Sequence, residues 1–538
     1  MAVPDTDPRP GESSARDRRR LARDAERDAG AHRPRSPRRD AFYRLVGGVL
    51  AGAILLAVLG ALMGPEWRPL PVTDPLTVQA ESTTISGAPE AGDYDVDTRV
   101  VEVQLDGAVV QARILTPVDP PGPVPAVLFV HGAGTGKFEE AFVDQAYALA
   151  EAGVATMVPD KRLDTYSMRH RDYVEMATDY LASYDVLRDL PEVDADRVGI
   201  YAESEGGWIA PVMAAERSEV AFLVLVSAPV VPPRQQAAFA VDQYLRNTGV
   251  PDQVFRAIPR AVGMQLPGGG FEYVDFDVAQ YQRELTQPVL MAYGTADQSM
   301  PIIQGPEQLV RDIALAGNTD YTLRYYGGAD HGIRVDGVVS ADFLTDLSGW
   351  VLGLPDTAGA YPRIAGEQPE QLYLAQPVPQ PRWLGDGDLL LGLIIGAVGA
   401  AILLPAVRWA TIGWRHWRGQ PPHAGRDTTL TRRLTLLSAL SVATVAALVW
   451  YLLAVAKLAL DYERNGWVVQ GGWLGVRLLG LGAVIAAVLV VDRMRTLRRI
   501  GRPLGHGVLG HVALWGTSVA CTVLLVVLAY WGVYQLGI

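Results

Sequence analysis

The sequence predicts an α/β protein: a mainly parallel sheet with helices on both faces, set between segments that cross a membrane. Three observations predict it. Between residues 98 and 355, short apolar runs alternate with helix-periodic segments, the pattern of strands buried on both sides by crossover helices. Outside that region lie five apolar stretches long enough to span a bilayer. Finally, Ser204, Asp297 and His331 each follow directly on an apolar strand-like run, at the strand ends where sheets of this kind carry their chemistry.

The bulk composition narrows the function. The formal net charge of −12 over 538 residues excludes a general affinity for nucleic acid. Cys521 is the one cysteine, which rules out an intramolecular disulfide and a thiolate metal cluster. A hydrophobic share of 49% is high for a soluble chain of this length and points to membrane segments.

In chain order, residues 1–44 are rich in Arg, Asp and Pro with almost no aliphatics; they read as a disordered cytoplasmic tail. Leu45 to Met63 is uninterrupted and apolar. At 1.5 Å per residue it covers roughly 28 Å, about one hydrocarbon core. Its exit, Leu62-Met63-Gly64, lacks a small-x-small cleavage pattern, so it reads as an uncleaved anchor. Residues 65–97 and 356–388 are rich in Pro, Gly and acids and read as linkers. Four further spans are expected at about Leu389–Val407, Leu434–Leu460, Trp473–Val491 and Val508–Tyr530, making a four-helix membrane domain over 389–535. Residues 408–433 and 492–507 are basic, whereas 461–472 are not. Basic short loops stay in the cytoplasm. Five spans with the N-terminus inside then put both basic loops inside and the central domain outside, in a multi-pass protein of the cell membrane.

Within the central domain, TRVVEVQL and AVVQARIL flank Asp106-Gly107 as a hairpin. PAVLFV, VATMVPD, DRVGIYAE, AFLVLVSA, PVLMAYG and YTLRYYGG are strands. EEAFVDQAYALAEAG, YVEMATDYLASYDVLRDL, GGWIAPVMAAERS, EQLVRDIALAG and ADFLTDLSGWVLGL are helices. An insertion over 230–287, helical around the break Gly268-Gly269-Gly270, reads as a cap over the site.

AESEG, residues 202–206, sits between a strand and a helix as a G-x-S-x-G nucleophile elbow with Ala202 in the first glycine position. Asp297 follows PVLMAY and His331 follows YTLRYY, in the order Ser, Asp, His. Such a set makes Ser204 a nucleophile by proton transfer to His331, with Asp297 orienting the imidazole. Asp330 is a rival acid to Asp297. The turn VHGAGTGK offers two readings. A phosphate loop, G-x-x-x-x-G-K-[ST], would need Gly where His131 stands and Ser or Thr where Phe138 stands. An oxyanion turn needs backbone N–H groups, supplied by Ala133 and Glu205, with Gly134 as second candidate. The latter reading fits, and Lys137 becomes a surface charge.

VHGAG, Asp160-Lys161-Arg162, SEGGWIAP, FLVLVSAP, GTAD and GADHG together resemble the α/β-hydrolase superfamily, most of all bacterial esterases of the dienelactone hydrolase and bile-acid-CoA thioesterase C-terminal type. The resemblance covers residues 98–355. It implies hydrolysis of carboxylic ester or thioester bonds through an acyl-enzyme, without metal or cofactor, on a small-molecule or lipid substrate. The alternatives are a peptidase or a lipid acyltransferase using the same triad, or an inactive hydrolase-like sensor. Ala202-Glu203 stands where that family has Gly-His. Asp160-Lys161-Arg162 reads as an ion-pair network fixing the loop near Glu203 or Glu205. Lys457, Asp461 and Arg477 lie at shallow depth in their helices and are expected to snorkel.

Overall fold

Which of these runs pair is a tertiary matter, and the computed structural model of the chain answers it. It describes residue 20 and residues 37–134, 136–269, 271–419, 427–460, 464–505 and 507–535. The expected tail over 1–44 therefore lies outside the described residues except for residue 20 and 37–44.

The chain begins with α1 (Pro37–Met63) and then forms β1 (Val96–Leu105), β2 (Ala108–Pro117) and β3 (Val124–Val130). It continues through α2 (Val143–Ala152), β4 (Ala155–Pro159), α3 (Tyr173–Arg188), β5 (Val193–Glu203), α4 (Gly206–Glu216) and β6 (Leu223–Val226). The insertion then supplies α5 (Pro233–Thr248), α6 (Ala257–Ala261) and α7 (Ala279–Gln282). After it come β7 (Val289–Gly294), α8 (Gln304–Leu315), β8 (Tyr321–Tyr326), a small hairpin of β9 (Arg334–Val335) and β10 (Val338–Val339), α9 (Ala341–Leu352) and β11 (Ile364–Gly366). Four long helices close the chain: α10 (Gly387–Trp417), α11 (Thr428–Leu460), α12 (Gly472–Arg499) and α13 (Gly507–Tyr530).

The large sheet has nine strands in the order β1-β2-β4-β3-β5-β6-β7-β8-β11. From β4 to β11 all pairs are parallel; β1 and β2 are antiparallel. The hairpin turns at Gly107, whose φ of 77° suits a glycine. β3, β4, β6 and β7 are buried at every position, as strands covered on both faces must be. One face carries α3, α4 and α8 through Tyr173, Tyr184, Trp208, Ile209 and Leu309. The other carries α2 and α9 through Leu149, Phe343, Leu347 and Trp350.

Two segments read as linkers from composition are built into this domain. β11, inside 356–388, adds the ninth strand beside β8, and Ala80 bridges to Ala365. Residues 70–72 run antiparallel to 372–374, with Val72 N–H donating to the Leu372 carbonyl at 3.0 Å and Leu374 N–H to Leu70 at 2.8 Å. The two segments leading to the long apolar helices are therefore tied to one another.

Among the described residues, α1, α10, α11, α12 and α13 are the five helices long and apolar enough to cross a membrane. α10 runs ten residues past Val407 and α11 begins six residues before Leu434. Hydropathy marks the most apolar stretch, while the helix continues into Trp- and Arg-rich sequence beyond it. α1 packs closely on α12: a Cβ on Gly48 would come within 2.8 Å of Val488, and one on Gly60 within 2.0 Å of the Ala529 carbonyl of α13.

The insertion rests on this bundle. Ala238, Leu245, Val250, Val254 and Ile258 share one apolar cluster with Leu56, Tyr451, Val455, Trp473 and Leu528 of the long helices. At its centre Arg260, 1% exposed, donates to the Gly60 carbonyl at 2.9 Å and to the Tyr530 carbonyl. The ends of α1 and α13 thus meet the insertion together.

Candidate active site

Ser204 occupies the turn between β5 and α4 with φ 53°, a left-handed conformation strained for any residue but glycine. The turn is so tight that Cβ atoms are excluded around it. One on Gly206 would stand 2.8 Å from the Val130 carbonyl and 3.2 Å from the Ala202 methyl; one on Gly207 would stand 2.6 Å from Ala228. Alanine at 202 is thus accommodated against a glycine at 206.

Asp297 follows β7, and its buried carboxylate accepts from His331 Nδ1 at 2.9 Å. The Asp297 Oδ1 atom takes the Ser299 N–H at 2.9 Å and the Ser299 hydroxyl at 2.7 Å. Ser299 Oγ also lies 3.1 Å from His331 Nδ1. This second support for the imidazole escaped the sequence reading, although a Ser two residues after a loop Asp is the mark of an Asx-turn. Asp330 does not compete: its Oδ1 accepts the Arg334 N–H at 3.0 Å. The His331 loop lies against the elbow, since Gly332 approaches the Glu203 carboxylate and its N–H donates to Ser227 Oγ at 3.4 Å.

Burial disfavours the imidazolium of His331, but the Asp297 carboxylate and its hydrogen bond outweigh it, so His331 titrates above the ordinary histidine range. Glu203 and Asp330 push in the same direction. Burial raises Glu203 above the usual glutamate range, against the pull of His331 and Arg334. Asp297 is held below the ordinary aspartate range: burial works against this, and His331 and Ser299 overcome it.

The turn after β3 meets the elbow from the other side. A Cβ on Gly132 would lie 3.1 Å from Ser204 Cβ and 3.7 Å from its Oγ, so glycine is what lets the Ala133 turn approach the hydroxyl. Among the described residues the Glu205 N–H makes no backbone hydrogen bond. Thr135 lies outside the described residues; Ala133 and Gly134, before it, are exposed. His131 is fully buried behind it, with Nε2 2.6 Å from the Pro159 carbonyl. A carbonyl only accepts, so Nε2 carries the proton. Burial lowers His131 to about 4.

The Asp160-Lys161-Arg162 stretch divides its roles. Lys161, 4% exposed, donates to the Gly132 carbonyl at 2.7 Å and to Glu205 Oε2 at 3.0 Å. Arg171 reaches Glu205 Oε1 at 2.6 Å, and Tyr166 reaches Oε2 at 2.9 Å. Nothing in the sequence marked Arg171 or Tyr166 for this. Asp160 binds the Phe138 N–H at 3.0 Å and the exposed Lys137 at 2.7 Å, so Lys137 is a surface charge with a partner. Arg162 pairs with Asp164 and Asp179.

The prolyl oligopeptidase family profile matches residues 140–354, which hold the elbow, Asp297 and His331. Esterase EstD of Thermotoga maritima is 25% identical over 198 residues, 33% of this chain. The chain spans about half of that esterase's length, 47%. Similar solved structures include Est1E from Butyrivibrio proteoclasticus, at 19% identity, covering 47% of this chain and 96% of that chain with a TM-score of 0.34. A puromycin-hydrolyzing peptidase of Mycobacterium tuberculosis is 18% identical, covering 52% of this chain and 42% of that chain with a TM-score of 0.37. A mostly parallel sheet covered on both faces, with a serine turn after β5 and a prolyl oligopeptidase family profile across most of it, makes the central domain a member of the α/β-hydrolase superfamily.

Proposed function

We propose that the chain is a membrane-anchored serine hydrolase that cleaves a carboxylic ester or thioester through an acyl-enzyme. The observation that carries this reading is the strained Ser204 elbow, with the Gly132 turn packed on it and the His331–Asp297 pair on the loops after β8 and β7. In this reading Ser204 Oγ attacks the acyl carbon while its proton passes to His331 Nε2. Asp297 holds Nδ1–H and stabilises the imidazolium. The N–H groups of Ala133 and Glu205, or of Gly134, bind the oxyanion. Collapse returns the His331 proton to the departing alcohol or thiol, and water repeats the cycle to release the acid.

The five long helices anchor the domain, with the N-terminus and both basic loops on the cytoplasmic side and the catalytic domain outside. Odd-numbered spans then end on the outer side. The joint contact of Arg260 with the ends of α1 and α13 supports this arrangement.

Labelling with a fluorophosphonate tests the reading. Wild type labels and Ser204→Ala does not; a folded wild type that stays unlabelled would overturn it. The match to the prolyl oligopeptidase family favours a second reading, peptide bond cleavage by the same residues. Turnover of p-nitrophenyl esters against aminoacyl p-nitroanilides separates the two.

A further inference from the structure

Between α1, α12 and α13 lies a groove of about 840 Å³ that the hydrolase reading does not use. Its walls are apolar along Leu45, Ala51, Leu55, Val488 and Leu525, and it runs along α1 from Ala41 to Leu56. Its far end is basic: Arg44, Arg433, Arg495 and Arg499 line it against one carboxylate, Asp492, a net +3. Asp492 is engaged by Arg433 at 3.6 Å. Arg44, Arg495 and Arg499 form no ion pair among the described residues.

Two features therefore coincide: an apolar trough between three long apolar helices, and clustered guanidinium groups at one end of it. From Arg44 to Leu56 the trough covers roughly 18 Å at 1.5 Å per residue, about the depth of one leaflet of a 30 Å core. Arginine forks bind phosphate bidentately, and basic pockets between spanning helices are sites for acidic headgroups. A free phosphate would satisfy the arginines and leave the trough to any lipid. A zwitterionic lipid would fill the trough and meet the cluster with no net charge.

We infer that this groove is a binding site for one anionic glycerophospholipid, its phosphate among Arg44, Arg433, Arg495 and Arg499 and one acyl chain along the α1–α12 trough. The site rests on the five helices spanning a membrane, and on nothing in the catalytic reading. Retention of the chain in the membrane fraction after carbonate washing tests the spans separately.

The lipid site is tested by native mass spectrometry of the full chain in maltoside micelles. Phosphatidylglycerol, phosphatidylcholine or inorganic phosphate is added in turn. One phosphatidylglycerol adduct is expected to survive, at least tenfold tighter than phosphatidylcholine, with no phosphate adduct. The double variant Arg495→Gln/Arg499→Gln, altered at exposed positions, should lose about tenfold for phosphatidylglycerol. Ala51→Phe, which narrows the trough from an exposed position, should weaken it similarly while all four arginines remain. Equal retention of the two lipids would overturn the inference. So would phosphate binding that Ala51→Phe leaves unchanged, or phosphatidylglycerol binding indifferent to both variants.

Discussion

Lys161 ties the turn after β3 to the Ser204 elbow: its ammonium lies 2.7 Å from the Gly132 carbonyl and 3.0 Å from Glu205 Oε2, with the Lys161 and Glu205 side chains each 1% exposed. Burial pulls the lysine below its ordinary range, and Glu205 opposes the shift. Arg171 also pairs with Glu205, so Lys161→Met leaves a neutral Glu205–Arg171 pair and takes a donor from the Gly132 and Glu205 oxygens. It should cost about 2 kcal/mol in denaturant unfolding and lower kcat more than it raises KM. Glu205→Gln leaves two cations without their counter-charge and should cost more, about 3 kcal/mol. Lys161→Met/Glu205→Gln should cost less than the sum of the two. Strictly additive single effects would refute the coupling.

If His331 is the general base, its raised value sets the acidic side of the pH profile. A general base must be neutral, so kcat/KM should climb with pH through a midpoint above the ordinary histidine value of about 6.5. Asp297→Asn removes the main support of the imidazolium and should move that midpoint down, with a large loss of rate. Glu203→Gln removes a smaller support and should move it down less, leaving most of the rate. Arg334, which faces Glu203, stays in place in both variants. An unmoved limb in Glu203→Gln would show that this carboxylate does not act on His331.

The backbone of Ser204 carries a cost that its hydroxyl does not. At φ 53° an L side chain costs roughly 1–2 kcal/mol. Both Ser204→Ala and Ser204→Gly should abolish labelling and reduce turnover by at least about a thousandfold. Ser204→Gly alone escapes the strain and should be more stable than Ser204→Ala by about 1 kcal/mol. Equal melting temperatures would place the strain elsewhere.

His131 makes stability depend on pH. Its folded value of about 4 lies below the unfolded value of about 6.5. The unfolded chain therefore binds the extra proton between those limits, and stability falls as pH drops from 6.5 to 4. The contribution is up to roughly 3 kcal/mol. A His131→Asn variant should show a shallower loss over that window in urea titrations, and parallel curves would contradict the assignment.

What could be read in the sequence was local. The parallel strands announce themselves as short apolar runs, and Ser204, Asp297 and His331 each stand one turn beyond such a run. The spans follow from hydropathy alone. What escaped depends on partners distant in the chain. β11 is three residues of Pro- and Gly-flanked sequence that become a strand because β8 offers an open edge. Glu205 sits at an elbow position where any residue fits the motif, so its burial against Lys161 and Arg171 has no local sign. The helices of the insertion were legible from periodicity, but the surface beneath α5 was not. Ala238 and Leu245 pack against Tyr451 and Val455 from a segment two hundred residues away.

Arg260 changes what is fixed and what moves. A cap is ordinarily taken as the moving part and the sheet as the frame. Here the insertion's buried guanidinium is bonded to Gly60 and Tyr530 at the ends of two long helices, and Gly64 has no room for a side chain because Arg260 fills it. If the insertion is a cap pinned to a bilayer, opening the site would break its bonds from Gln236 to Ser299 and from Asn247 to Gln298 and tilt the catalytic body on its two paired tethers while the cap stays still. Spectroscopic labels on α8 should then change their distance to the membrane surface on substrate binding, while labels on α5 hold theirs. Arg260→Met should set α5 moving as well.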